Sequence, residues 1–262
     1  MQIITQLPAE ARHAIRFVLT DIDDTLTNQG RLVGEAFLAM EQLERAGFSI
    51  VPITGRPAGW CDHIARMWPV AAVVGENGAF YFHYDRARKK MVRRYIKDAA
   101  ELEKDRTALD RIKQVILQKV PGAAVASDQF SRLADLAIDF CEDVPALTDG
   151  QVEQIVHCFQ DAGAQAKISS IHVNGWFGRY DKLSMTRLLF RDHFQTDLDA
   201  VNRSALFIGD SPNDAPMFAY FEHSVGVANV RHFIDRIETP PRWVTCAEGG
   251  HGFAEMARVL MS

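Results

Sequence analysis

The apolar run Ile15-Arg16-Phe17-Val18-Leu19 stops at Asp21-Ile22-Asp23-Asp24-Thr25-Leu26, and that junction narrows the architectures open to the chain. A buried strand ending in two acids one residue apart must open onto a polar crevice, because an unpaired carboxylate is expensive to bury. Such a crevice suits a hard divalent cation, or a phosphoryl group approached alongside one. The competing reading is a polar strand end that only caps a turn.

The segments that follow alternate in type. Residues 35–46 carry Phe37, Met40 and Leu43 on one helical face and stop at Gly47. Residues 48–53 form a second apolar run, 58–67 a helix, and 71–74 a third short strand. This order predicts a parallel sheet with crossover helices. The pattern then changes. Residues 78–84 and 91–96 read as a hairpin, 98–120 as a long helix, 133–141 as a strand and 148–162 as an amphipathic helix. Residues 165–170 and 171–177 read as two more strands. From Asp181 the parallel pattern resumes, with a helix to about Phe194, a strand over 205–208 and a helix to Phe221. Short apolar pieces at 224–227 and 243–245 precede a last helix over 253–260. The expected division is 1–96 and 178–262 as one α/β core, interrupted by a smaller α+β cap over 97–177.

Four signals converge on one edge of that sheet: Asp21 with Asp23, Thr54-Gly55-Arg56, Lys182, and Asp210 with Asp214 in Gly209-Asp210-Ser211-Pro212-Asn213-Asp214. Open α/β sheets place their ligand crevice at the carboxyl ends of strands, where three of these signals fall. Lys182 sits at a helix start facing the same edge.

In this order the signals resemble the motifs of the haloacid dehalogenase-like (HAD) phosphohydrolases. Asp21–Leu26 looks like the first motif, Thr54 the second, Lys182 the third and Gly209–Asp214 the fourth. The cap position, and Gly75-Glu76-Asn77-Gly78-Ala79, resemble the type IIB cap of the Cof-like and sugar-phosphate phosphatase branch. The resemblance implies a Rossmann-like core and a Mg²⁺-dependent phosphatase acting through an aspartyl-phosphate. It implies Asp21 as nucleophile and Asp23 as acid and base. It also implies Asp21, the Asp23 carbonyl, Asp210 and Asp214 around the metal. Thr54, Gly55, Arg56, Lys182 and Asn213 would meet the phosphoryl group, although Asn213 reads equally well as a helix cap. Many members have glycine where this chain has Asp24, whose side chain is expected to point away from the metal.

In the cap, His172 and Asn174 share strand parity and are candidates for substrate contact, with Trp176 continuing that side. A half-exposed sheet with a satisfied histidine is the plainer reading of His172. Arg132, Asp135 and Asp139 offer further polar groups. The expected substrate is a small phosphorylated metabolite, a sugar phosphate by preference. The alternatives are a phosphosugar mutase resembling phosphomannomutases, and a non-enzymatic phosphoacceptor resembling response-regulator receivers, which lack the cap and the second acid.

Composition excludes little beyond this. The 262 residues are 47% hydrophobic and carry a formal charge of −5, which gives no global pull toward nucleic acid or anionic membrane. No apolar run is long enough to span a bilayer. Four cysteines without a CxxC pair, and no secretory signal over 1–8, read as a reduced, cytoplasmic protein without a zinc site.

Overall fold

A computed structural model of the full chain describes residues 1–169 and 171–262. The chain begins with β1 (Gln2–Ile3) and α1 (Ala9–Ala14), then forms the buried strand β2 (Phe17–Thr20). A small hairpin, β3 (Thr27–Asn28) and β4 (Arg31–Leu32), leads to α2 (Gly34–Arg45) and β5 (Ser49–Pro52). Helix α3 (Ala58–Met67), β6 (Val73–Gly75), β7 (Phe80–Asp85) and β8 (Lys90–Tyr95) follow. Next come α4 (Ala99–Lys119), β9 (Ala124–Val125), β10 (Leu136–Asp139), α5 (Asp149–Asp161), β11 (Gln165–Ile168) and β12 (His172–Trp176). The chain closes with α6 (Lys182–Asp192), β13 (Ala205–Gly209), α7 (Ala215–Tyr220), β14 (His223–Gly226), β15 (Trp243–Val244) and α8 (Gly249–Leu260).

Six parallel strands form the central sheet in the order β1-β15-β14-β13-β2-β5. Val18, Ile50, Leu206 and Ile208 face the layer of α2, α3 and α8, while Leu19, Val51 and Phe207 face α6 and α7. Burial on both faces explains why these strands read as unbroken apolar runs. Each such side chain stabilises the fold by roughly 1.5–3 kcal/mol. From β2 the chain winds one way to β5, yet β13 restarts on the other side of β2. The reversal opens a crevice at the carboxyl ends of these two strands. Thr20 is paired with Ile208, and Asp21 N–H donates to the Ile208 carbonyl at 2.9 Å, so Asp21 and Asp210 leave adjacent strands together.

The inserted layer is an antiparallel sheet, β11-β12-β10-β9, packed on α4 and α5 around Ile112, Ile116, Ile138, Phe159 and Val173. Capping boxes at Asp98/Glu101 and Thr148/Gln151 start its two helices. The result is the α/β core with an α+β cap expected from the sequence.

Four differences from the expected elements have physical causes. The strand expected over 133–141 shortens to Leu136–Asp139. The Leu133, Ala134 and Asp135 amides donate to the Glu76 carboxylate, and those of Cys141, Glu142 and Asp143 to Asp139. Strand β6 lies beside the end of β5, joined by an isolated parallel bridge between Ile53 and Val74, and pairs antiparallel with β7. Helix α8 starts at Gly249 rather than Phe253, because its glycines read as loop but serve packing. A Cβ on Gly250 would lie 2.5 Å from the Leu26 carbonyl. The strand expected over 165–170 ends at Ile168, and Ser170 lies outside the described residues.

One turn sets the approach of cap and core. Glu76, Asn77 and Gly78 are consecutively left-handed, with φ of 43°, 55° and 108°. A Cβ on Gly78 would stand 2.0 Å from the Asp181 carbonyl, so the turn sits flush against the N-cap of α6.

Candidate active site

Strand ends and one helix start bring the first group of side chains together. Lys182, the first residue of α6, donates from Nζ to Asp21 Oδ1 at 3.0 Å and to Asp214 Oδ1 at 2.8 Å. Asp214 Oδ2 in turn accepts from the Asp210 amide at 3.1 Å, a bond that folds the 210–214 loop back on itself. Carboxylate oxygens of Asp21, Asp210 and Asp214 lie within 4.8 Å of one another, and all three residues are buried. Thr25 Oγ1 donates to Asp210 Oδ1 at 3.2 Å. Asn229 Nδ2 bonds the Asp24 carbonyl at 3.0 Å and approaches Asp210 Oδ2 at 3.5 Å.

Electrostatics follow from this crowding. Burial, with Asp214 and Asp23 adding and Lys182 opposing, pushes the Asp21 carboxyl up to about 7. Burial and the neighbouring carboxylates of Asp214, Asp21 and Asp24 push Asp210 well above the usual range. Burial works to lower Lys182, but Asp21 and Asp214 hold it above its ordinary value, as a cation. Three buried carboxylates against one ammonium leave the cluster short of positive charge. All its donors are hard oxygens, and it therefore fits a divalent cation such as Mg²⁺.

Asp23 stands apart from that cluster. Arg56 grips it in a fork, Nε to both carboxylate oxygens at 3.0 Å and Nη2 to Oδ1 at 2.8 Å. The same guanidinium reaches into the cap, with Nη2 3.0 Å from Glu142 Oε1 and Nη1 3.6 Å from Asp128 Oδ2, and it stacks over Trp60 at 4.4 Å. Thr54 is fully buried, and its Oγ1 accepts the Arg56 amide at 3.0 Å.

The cap supplies the opposite wall. A cavity of about 20 Å³ is bounded by Asp21, Asp23, Gly55, Arg56, Asp210 and Asn213 on the core side, and by Arg132, His172 and Asn174 from the cap. Asn174 Nδ2 donates to Asp135 Oδ2 at 2.9 Å. His172 Nε2 lies 3.0 Å from Glu142 Oε2. That contact and Arg56 draw the Glu142 carboxyl down to about 2. Trp176 turns away: it is buried, and its Nε1 donates to the Tyr180 carbonyl at 3.3 Å. Asp139 is spent on closing its own strand, as described above. Asp24 has a left-handed backbone, φ 54°, a conformation that glycine adopts without strain. It lies outside the three-carboxylate cluster.

A second ionic group clasps cap to core. The fully buried Glu76 accepts the Ala58 amide of α3 at 3.0 Å and the Leu133, Ala134 and Asp135 amides at 2.6–3.3 Å. Arg132 bonds Asp128, Asp135 and the Gly55 carbonyl, the last at 2.8 Å. Sequence reading passed over Glu76, Glu142, Asp128, Thr25 and Asn229 as individual residues. Thr25 did stand inside the first motif. Glu76 stood inside Gly75-Glu76-Asn77-Gly78-Ala79, and Glu142, Asp128 and Asn229 have only their type to mark them.

The profile of the haloacid dehalogenase-like hydrolases matches residues 18–128. No curated protein sequence matches the chain. Among solved structures, a Thermoplasma acidophilum protein superposes with a TM-score of 0.71 at 16% identity, covering 94% of this chain and 98% of its own. The sucrose-phosphatase of Synechocystis sp. PCC6803, solved with sucrose and phosphate, gives 0.63 at 16% identity, covering 94% and 97%. A phosphatase of the haloalkanoate superfamily from Bacteroides thetaiotaomicron gives 0.62 at 18% identity, covering 98% of both chains. At these identities the superpositions show a shared fold. No helix among the described residues is long and apolar enough to cross a membrane.

Proposed function

We propose that this chain, a haloacid dehalogenase-like hydrolase, is a Mg²⁺-dependent phosphomonoesterase acting on a small phosphorylated metabolite, with sugar phosphates the favoured class. The observation that carries the reading is the meeting of Asp21, Asp210, Asp214 and Lys182 from three distant chain segments, with the ammonium bonded to Asp21 and Asp214 and carboxylate oxygens of all three acids within 4.8 Å of one another.

Asp21 attacks phosphorus and becomes an aspartyl-phosphate, so hydrolysis divides into two displacements. Asp23 gives a proton to the departing alcohol oxygen and then takes one from the attacking water. Lys182 stays protonated and offsets charge shared by Asp21 and the phosphoryl oxygens. The Thr54 hydroxyl donates to a phosphoryl oxygen while accepting from Arg56 N–H. Asp21, Asp210 and Asp214 would hold the divalent ion, which supplies the positive charge the cluster lacks. Arg56 orients Asp23 and ties it to Glu142, so the aim of the acid depends on where the cap lies. His172 and Asn174 present hydrogen-bonding groups suited to hydroxyl-rich leaving groups, and the sucrose-bound neighbour of the same fold supports the sugar preference.

The test is phosphate release from a panel of phosphorylated metabolites with Mg²⁺, repeated after chelation. Turnover that disappears with the metal is expected. A folded protein that releases phosphate from no member of the panel would overturn the proposal.

A further inference from the structure

The catalytic cavity, about 20 Å³, has room for roughly one water. The leaving group of any ester poised over Asp21 therefore has to extend beyond it. On one side the way is shut by the Glu76 and Arg132 bonds, which fasten the 128–135 loop to the core. On another side a groove of about 810 Å³ opens, and it shares Ser169, Ser211 and Asn213 with the catalytic cavity. Its cap wall is built from Phe140, Leu147, Val156 and Ile168, and its core wall from Pro212 and Phe233. The four cap side chains are half-buried, with one side on the cap's hydrophobic core and the other left to the groove. Asp149, Glu153, Lys167 and Arg236 also border it.

A sugar held by His172 and Asn174 leaves these facing apolar walls wet. We propose that the groove is the leaving-group site, and that it selects phosphomonoesters whose alcohol carries an aliphatic or aromatic arm beyond its polar portion. The proposal rests on the hydrolase reading for the position of the phosphoryl group, and it specifies the substrate class of that same site. An ester seated this way reaches Asp21 from the groove, without the Glu76 clasp being broken.

The experiment compares ethylphosphonate with hexylphosphonate, which cannot be hydrolysed, by calorimetry with Mg²⁺ present, alongside hydrolysis of ethyl and hexyl phosphate. Burying the extra methylenes is expected to tighten hexylphosphonate by about tenfold or more over the ethyl compound. Val156→Arg and Phe233→Ala, on opposite walls, are each expected to reduce that ratio to below about threefold, with ethylphosphonate binding unchanged. Equal affinity of the two phosphonates, no binding of either, or a ratio that survives both variants overturns the proposal. A binding ratio that holds while neither ester nor any member of the metabolite panel is hydrolysed sinks the hydrolase reading and leaves the groove standing as a binding site for the apolar arm. Equal hydrolysis of both esters with equal phosphonate affinity does the reverse.

Discussion

Two buried ionic clusters lie close together at the cap–core junction and are assembled on opposite terms. At the proposed reacting centre, carboxylates of Asp21, Asp210 and Asp214 crowd together with Lys182 between two of them. At the clasp, every nitrogen of the Arg132 guanidinium has an oxygen partner, and both Glu76 oxygens accept backbone amides. Burial raises carboxyls in both clusters, Asp21 to about 7 and Glu76 to about 8, so the difference lies in hydrogen bonding: polar groups with their partners in place hold geometry, whereas crowded carboxylates that share one ammonium leave room for a further cation. The first cluster is poised for a ligand and the second for rigidity.

Substitutions can break that comparison. The largest expected effect is on rate: Asp21→Asn should lower phosphate release by at least ~10³-fold, with a melting temperature no lower than that of the unaltered protein. Retained turnover would show the nucleophile is misassigned. Next is stability: Glu76→Ala should cost about 3 kcal/mol or more in urea unfolding, because several buried amides lose their acceptor beside Arg132. A cost under ~1 kcal/mol would show the clasp is not a structural element. Third, Asp210→Asn should stabilise the metal-free protein by about 1 kcal/mol while abolishing activity, since it relieves carboxylate crowding. Destabilisation in the absence of metal would remove the contrast between the clusters.

The smallest effect concerns pH. Glu142 is held low, to about 2 against an ordinary 4.5, so its contribution is present above about 4.5 and is lost as pH falls toward 2. Its side chain is 30% exposed, which keeps that contribution below ~1 kcal/mol. In Glu142→Gln the acid limb of the stability profile should be shallower over that window, as read by urea midpoints at stepped pH. An unchanged acid limb would mean the Arg56 and His172 contacts are not energetically coupled to the cap.

The meeting of Asp21, Lys182, Asp210 and Asp214 was legible because its parts follow from local pattern. Apolar runs that stop in acids at Asp21 and Asp210 can only be strand ends, and a parallel sheet carries such ends to one edge. Lys182 follows from the Asp181 cap that starts its helix. The clasp was not legible. Glu76 stood inside a recognised pentapeptide, but its role as an acceptor exists only because a segment nearly sixty residues on folds over it. The same contact is why the strand expected from Leu133 starts at Leu136 instead. Helix α1 escaped notice for a different reason: it buries none of its side chains and so leaves no amphipathic trace.

The left-handed turn at Glu76, Asn77 and Gly78 has a consequence for building hybrids. One end of it fixes the height of the cap loop, and the other seats the backbone from which Lys182 projects. Those two positions are thus one mechanical variable. A lid transplanted from a relative will sit true over the ammonium only if the donor's three-residue turn travels with it.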